Sequence, residues 1–130
     1  MEKADLVAIM PFATLCGIEV ERADPAEVVG GMEWKPERCT AGGLLHGGAL
    51  MTLADSIGAL CAFLQMPPGA TTATIESKTN FFRPLVKGRA RAVSHPLHTG
   101  SRIVVVQTDI YDDENRRVAQ VTQSQAVIKK

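Results

Sequence analysis

From residue 47 to 66 (GGALMTLADSIGALCAFLQM) apolar side chains fall on nearly every face of a helical projection. The pattern predicts one long helix, buried on all sides and closed by Pro67-Pro68-Gly69. Residues 3–16 have the apolar spacing of a short helix, with Pro11 marking a break or the first turn of a second one. Residues 17–22 and 27–34 alternate as strands, and the pair Gly30-Gly31 suggests a bulge. Residues 35–46 read as a long loop. After the helix the chain is all strand: 71–82, then 88–97 before a turn at His98-Thr99-Gly100, then 102–111, and 117–128 beyond a hairpin turn at Asp112-Asp113-Glu114-Asn115. This order predicts an α+β class, one helix packed on an antiparallel sheet of five or six strands. The last strand has a polar centre of Gln120, Thr122, Gln123, Ser124 and Gln125, which fits an exposed face or a contact with a second subunit.

The 130 residues suit a single domain over 1–130. Apolar residues make up 45% and charged residues 22%, which excludes disorder. No apolar run approaches the ~18–20 residues of a membrane span, so no membrane partner is expected. The start, Met1-Glu2-Lys3-Ala4-Asp5, has mixed charge and no signal-peptide pattern, so the expected compartment is the cytoplasm. Cys16, Cys39 and Cys61 are odd in number with no CxxC pair, which argues against a disulfide framework or a structural zinc site. His95 and His98 read as a turn flanked by two histidines rather than half a metal site.

Fourteen basic and fourteen acidic residues cancel, which disfavours a strongly basic nucleic-acid binder. The charges are nevertheless segregated. Residues 1–76 carry a formal −6, whereas residues 77–108 hold no acid and six bases: Lys78, Arg83, Lys87, Arg89, Arg91 and Arg102. Such a window reads as a local anion site or as a sheet edge guarded by positive charge.

One charged side chain, Asp55, sits near the middle of the long helix. An unpaired buried carboxylate costs several kcal/mol or more. Such a group either ties down a loop by hydrogen bonds or is poised as a base or nucleophile. The helix opens on His46-Gly47-Gly48, where two glycines leave the first backbone N–H groups unobstructed at the positive end of the helix dipole. Those donors suit a developing oxyanion. His46 reads as a capping or loop-anchoring residue. Asp55 follows it by nine residues, roughly 13 Å along the axis and about half a turn round. If both groups act on one bond, they come from two copies of the chain. Ala54, Gly58, Ala59 and Ala62 permit close approach around this helix.

Two stretches together resemble the hotdog-fold acyl-CoA thioesterases, in particular the branch of phenylacetate-pathway and 4-hydroxybenzoyl-CoA thioesterases. One is Gly43-Leu44-Leu45-His46-Gly47-Gly48 with Leu53-Ala54-Asp55; the other is Asn80-Phe81-Phe82-Arg83-Pro84 with Gly88, after Ala73-Thr74-Ile75-Glu76. The resemblance implies a long helix wrapped by a curved sheet, and a homodimer assembling further to a homotetramer. It implies that the Gly47 N–H polarises the thioester carbonyl and that Asp55 of the other subunit activates water or attacks directly. His46 would hold the carbonyl-side loop, and the Thr74 hydroxyl would place the water. Thr40, Gly48, Ser56 and Phe82 are further substrate-contact candidates. Arg83, Arg89, Arg91 and Arg102 would meet the phosphates of coenzyme A, which enters only as part of the substrate, with no separate cofactor. Two positions depart from the pattern. Thr40 stands where many relatives carry Asn or Gln, and Ala59 where those using Glu often carry Ser or Thr. These departures keep a non-catalytic acyl-CoA-binding domain open as an alternative. A hotdog hydratase or dehydratase fits less well, because no histidine follows Asp55 by a turn or so. A Ser-His-Asp triad is disfavoured, since no Gly-x-Ser-x-Gly elbow exists.

Overall fold

A computed structural model describes residues 2–129; Met1 and Lys130, the two ends of the expected 1–130 domain, lie outside the described residues. Two short helices, α1 (Lys3–Ala8) and α2 (Pro11–Leu15), precede a hairpin of β1 (Glu19–Asp24) and β2 (Glu27–Glu33). The long helix α3 (Gly47–Phe63) follows, and then β3 (Thr71–Phe81), β4 (Arg89–Thr99), β5 (Ile103–Tyr111) and β6 (Arg117–Ile128). Pro11 opens α2 at a position where its missing N–H is harmless. All six strands form one antiparallel sheet in the order β1-β2-β4-β5-β6-β3. The expected α+β arrangement of one helix on an antiparallel sheet is present. Consecutive alternation does not reveal one feature of this order: β3 leaves the helix and becomes the far edge, paired only to β6.

Helix α3 lies across the inner face of the sheet. Leu53, Ile57, Leu60 and Cys61 pack on Val28, Met32, Val104, Val106, Ile110 and Val121. On β5 the inward residues alternate strictly, with Val104, Val106, Thr108 and Ile110 buried. Small residues set the separation of helix and sheet. Ala54, Gly58 and Ala62 of the helix and Ala90, Ala92 and Ser94 of β4 are all buried, and Gly58 lies against Gln123 of β6, whose side chain a Cβ there would strike. Gly30 serves the same approach: a Cβ there would strike the Ile57 side chain and come within 2.6 Å of the Glu19 carbonyl oxygen. The expected bulge falls opposite the glycines, between Val20 and Arg22 of β1.

Two expectations for the helix need correction. It ends at Phe63 and not at Met66, because a residue preceding proline is pushed out of the helical region and residues 64–69 turn instead. Nor is it buried on all sides. Met51, Asp55 and Phe63 are exposed, so one stripe of an otherwise apolar helix stays open. Strand β4 also runs further than expected, taking in His98 and Thr99 with a register shift between Pro96 and His98.

Replacing Gly30 by alanine should destabilise the protein by about 1–3 kcal/mol, since neither the Glu19 carbonyl nor the helix can yield freely. A melting temperature equal to that of the wild type would show that α3 is not held at the distance described.

Candidate active site

The start of α3 is assembled by its own residues. His46 is the N-cap, and its Nδ1 accepts the Gly48 N–H at 2.8 Å. Its carbonyl accepts from Ala49 and Leu50. The Gly47 N–H has no acceptor among the described residues. It is therefore the donor left over at the positive end of the helix. Neither glycine has a Cβ to crowd this arrangement, and the Phe81 ring near Gly47 is half exposed and free to shift. A Cβ on Gly48 would crowd the His46 ring, and one on Gly47 would lie 3.2 Å from the Phe81 ring. The loop that delivers this tip is pinned: the His46 N–H donates to the Arg38 carbonyl, the Leu45 N–H to the Leu85 carbonyl, and the Trp34 indole N–H to the Gly43 carbonyl at 2.9 Å. An open cleft of about 370 Å³ lies against the tip, bordered by Thr40, Leu50, Phe81, Phe82 and Arg83.

Asp55 borders a different cleft, of about 470 Å³. Its walls are mostly apolar: Met10, Pro11 and Phe12 from the start of α2, and Met51 and Ala59 from α3, with Ser77 from β3. Asp55 Oδ1 accepts from the Thr74 hydroxyl at 3.2 Å and from Gln123 Nε2 at 3.1 Å. Thr74 Oγ1 in turn accepts from Gln125 Nε2 at 2.8 Å, and Gln125 Oε1 accepts from the Thr72 hydroxyl at 2.7 Å. Thr74 and Asp55 thus meet within one chain. Asp55 and Gly47, eight residues apart on a straight helix, open into separate clefts about 12 Å apart along its axis. Each chain carries two incomplete halves of the expected constellation.

The remaining candidates scatter. Ser56 borders the Asp55 cleft, yet it is buried and its hydroxyl donates to the Thr52 carbonyl at 2.7 Å, which leaves little to offer a ligand. Phe82 lies under the Arg117 guanidinium, 5.0 Å from ring centroid to Cζ. Arg89 is not a free cation. Its guanidinium bonds Glu19 at 2.9 Å, Glu21 at 3.0 Å and Glu33 at 3.2 Å, locking the β1–β2 hairpin to β4. Burial alone would lower the Arg89 pKa, but these carboxylates more than reverse that and hold it above its usual value. Arg83 and Arg102 sit at opposite ends of β6, the first bonded to Val118 and the second to Val127 through the backbone, nine residues and roughly 30 Å apart. Arg91 is exposed on a strand whose inward positions are Ala90 and Ala92. Hence the run of positive charge does not gather into one anion site within a chain; Arg83 alone borders the Gly47 cleft. Burial pushes the Cys61 thiol up, which keeps it protonated and makes it a core residue. Among the described residues no group of three His, Cys, Asp or Glu side chains could hold a metal ion, and no helix is long and apolar enough to cross a membrane.

The polar centre of β6, expected as an exposed face or a second-subunit contact, instead turns Gln123 and Gln125 into the core, towards Asp55 and Thr74. The available signal was their step of two from Val121, which places them on the inward, buried face of β6.

A six-stranded antiparallel sheet around one long helix, with a glycine tip and a mid-helix acid, defines the hotdog thioesterase class of fold. The family model of the Thioesterase superfamily matches residues 42–119, more than half of the chain, and the chain belongs to that superfamily. It is 42% identical over 74 residues to the 1,4-dihydroxy-2-naphthoyl-CoA hydrolase of Escherichia coli, a match covering 57% of this chain and 54% of that protein. To a proofreading thioesterase of Cronobacter sakazakii it is 33% identical over 86 residues, 66% of this chain and 63% of the relative. The chain therefore spans little more than half the length of the curated relatives it matches. A crystal structure of a thioesterase from Haemophilus influenzae superposes with a TM-score of 0.93 at 26% identity, covering 99% of this chain and 92% of that one.

Replacing His46 by alanine should cost about 1 kcal/mol, the usual loss for a helix cap. Urea unfolding checks this. An unchanged midpoint would mean that the Gly48 N–H finds another acceptor.

Proposed function

We propose that this chain is an acyl-CoA thioesterase, hydrolysing a small aromatic or short-to-medium acyl thioester at two composite sites of a homodimer. The observation that carries this reading is the division of labour on α3: a free N–H donor at its tip and a carboxylate two turns on, in separate clefts. A twofold partner would bring the Gly47 tip of one copy to the Asp55 cleft of the other. Strand β3 supports such a pairing. It is eleven residues long, paired on one side only, and carries Ile75 at 59% exposure. A long edge strand with one side unpaired favours union with a second, antiparallel copy. The names of the relatives support the reaction, and that of the Escherichia coli hydrolase supports an aromatic acyl group. The apolar walls of the Asp55 cleft suit such a group.

In this reading the thioester oxygen accepts the Gly47 N–H, which stabilises the charge that develops as the carbonyl becomes tetrahedral. Asp55 takes a proton from water as its oxygen bonds to the carbonyl carbon, or itself forms that bond. Collapse of the intermediate breaks the carbon–sulfur bond. The coenzyme A thiolate leaves readily and is protonated. On the water route the proton comes from Asp55, and the carboxylate is restored. In the direct route the thiolate takes its proton from solvent, and water then cleaves the mixed anhydride, releasing the acid and restoring the Asp55 carboxylate. Labelled water under single turnover identifies direct attack where the label enters Asp55, which happens when water adds to the Asp55 carboxyl carbon of the anhydride.

Thiol release over an acyl-CoA panel tests the reading. Asp55→Asn should lower turnover by about 10²–10³, as removing an oxyanion donor does. Gly47→Pro should do likewise while keeping the helix, since proline is tolerated at the first helical position and His46 already has the extended backbone that precedes proline. Mixed dimers of the two inactive variants should recover one intact site per dimer. Recovery of nothing would refute the shared site; water addition without thiol release, or binding alone, would refute the thioesterase.

A further inference from the structure

The geometry points to Gln123 as a positioning residue for the Asp55 carboxylate, with Gln125 acting in the same way on Thr74; this inference rests on the catalytic reading of Asp55. The two glutamines occupy the inward face of β6 at 1% and 0% exposure, in step with Val121. Apolar side chains would fill those positions at no cost in unmet hydrogen bonds. Instead, Gln123 directs its amide at the helix. A carboxylate can only accept, so the NH2 end must face Asp55 Oδ1, and Oε1 is left buried with no partner. A core residue selected for stability alone would not leave that atom unsatisfied. The helix also makes room for it. Gly58 stands in the middle of α3, where glycine disfavours the helix, and a Cβ there would collide with Gln123 Oε1.

The second amide completes the device. Thr74 Oγ1 accepts the Gln125 N–H, which turns the hydroxyl proton towards Asp55. Thr72 closes the chain by donating to Gln125 Oε1. Both donors therefore converge on Oδ1. No hydrogen bond from the described residues reaches Oδ2, so the carboxylate is held by one oxygen and presents the other to the cleft.

The test compares the wild type, Asp55→Asn and Gln123→Met as purified full-length proteins. It reads melting temperature, KM and kcat for acyl-CoA hydrolysis. Gln123→Met removes both the N–H and the orphaned oxygen. It should melt at the wild-type temperature or higher, keep KM within about twofold, and lose about 10–100-fold in kcat, the range for a hydrogen bond to a charged group. Gln123→Leu is read in the same way should the methionine variant not fold. A kcat within twofold of the wild type overturns the inference. So does a lowered melting temperature in both variants, which would assign the residue to the core. Full activity of Asp55→Asn would instead sink the catalytic reading itself. An inactive Asp55→Asn beside a fully active Gln123→Met would sink only the positioning role.

Discussion

The structure depends on how closely α3 approaches the sheet. Helices and sheets with large facing side chains pack about 10 Å apart. Here the approach is closest where residues lack a Cβ: Gly30 of β2 lies against Ile57, and Gly58 of α3 lies against Gln123 of β6. The consequence is chemical as well as mechanical. Held there, a side chain as short as Asp55 meets the hydroxyl of Thr74 from β3 and the amide of Gln123 from β6. Larger residues at the crossing would preserve an apolar core and separate the carboxylate from its donors.

The same helix imposes a limit. Its rigidity fixes the distance between tip and acid, so a single chain cannot bring both to one bond. The open stripe through Met51 and Asp55, and the one-sided edge β3, are features that an isolated chain leaves exposed to water. Both lie on the flank where the apolar cleft begins. Exposure, cleft and acid thus occur together.

Much of this was legible along the chain. The helix start is marked by His46-Gly47-Gly48, because a capping side chain followed by two residues lacking Cβ is a local chemical arrangement. Strands β5 and β6 follow from period-two alternation. Other features depend on partners distant in sequence. That β3 is an edge cannot be read from its own residues, since alternation does not give strand order. Arg89 looked like a free cation because Glu19, Glu21 and Glu33 lie 56 to 70 residues away. The polar centre of β6 was ambiguous for a related reason. Its glutamines keep the inward register of the valines, but only the fold shows that Asp55 waits opposite them.

The loop that presents the helix tip carries an optical label of its own. Trp34 is the only tryptophan in the chain, and its indole N–H is bonded to the Gly43 carbonyl, four residues before Gly47. Indole emission is sensitive to the hydrogen bond and to the water around the ring. Its fluorescence is therefore a native gauge of whether the loop beside the glycine tip is docked or lifted, readable without any dye or substitution.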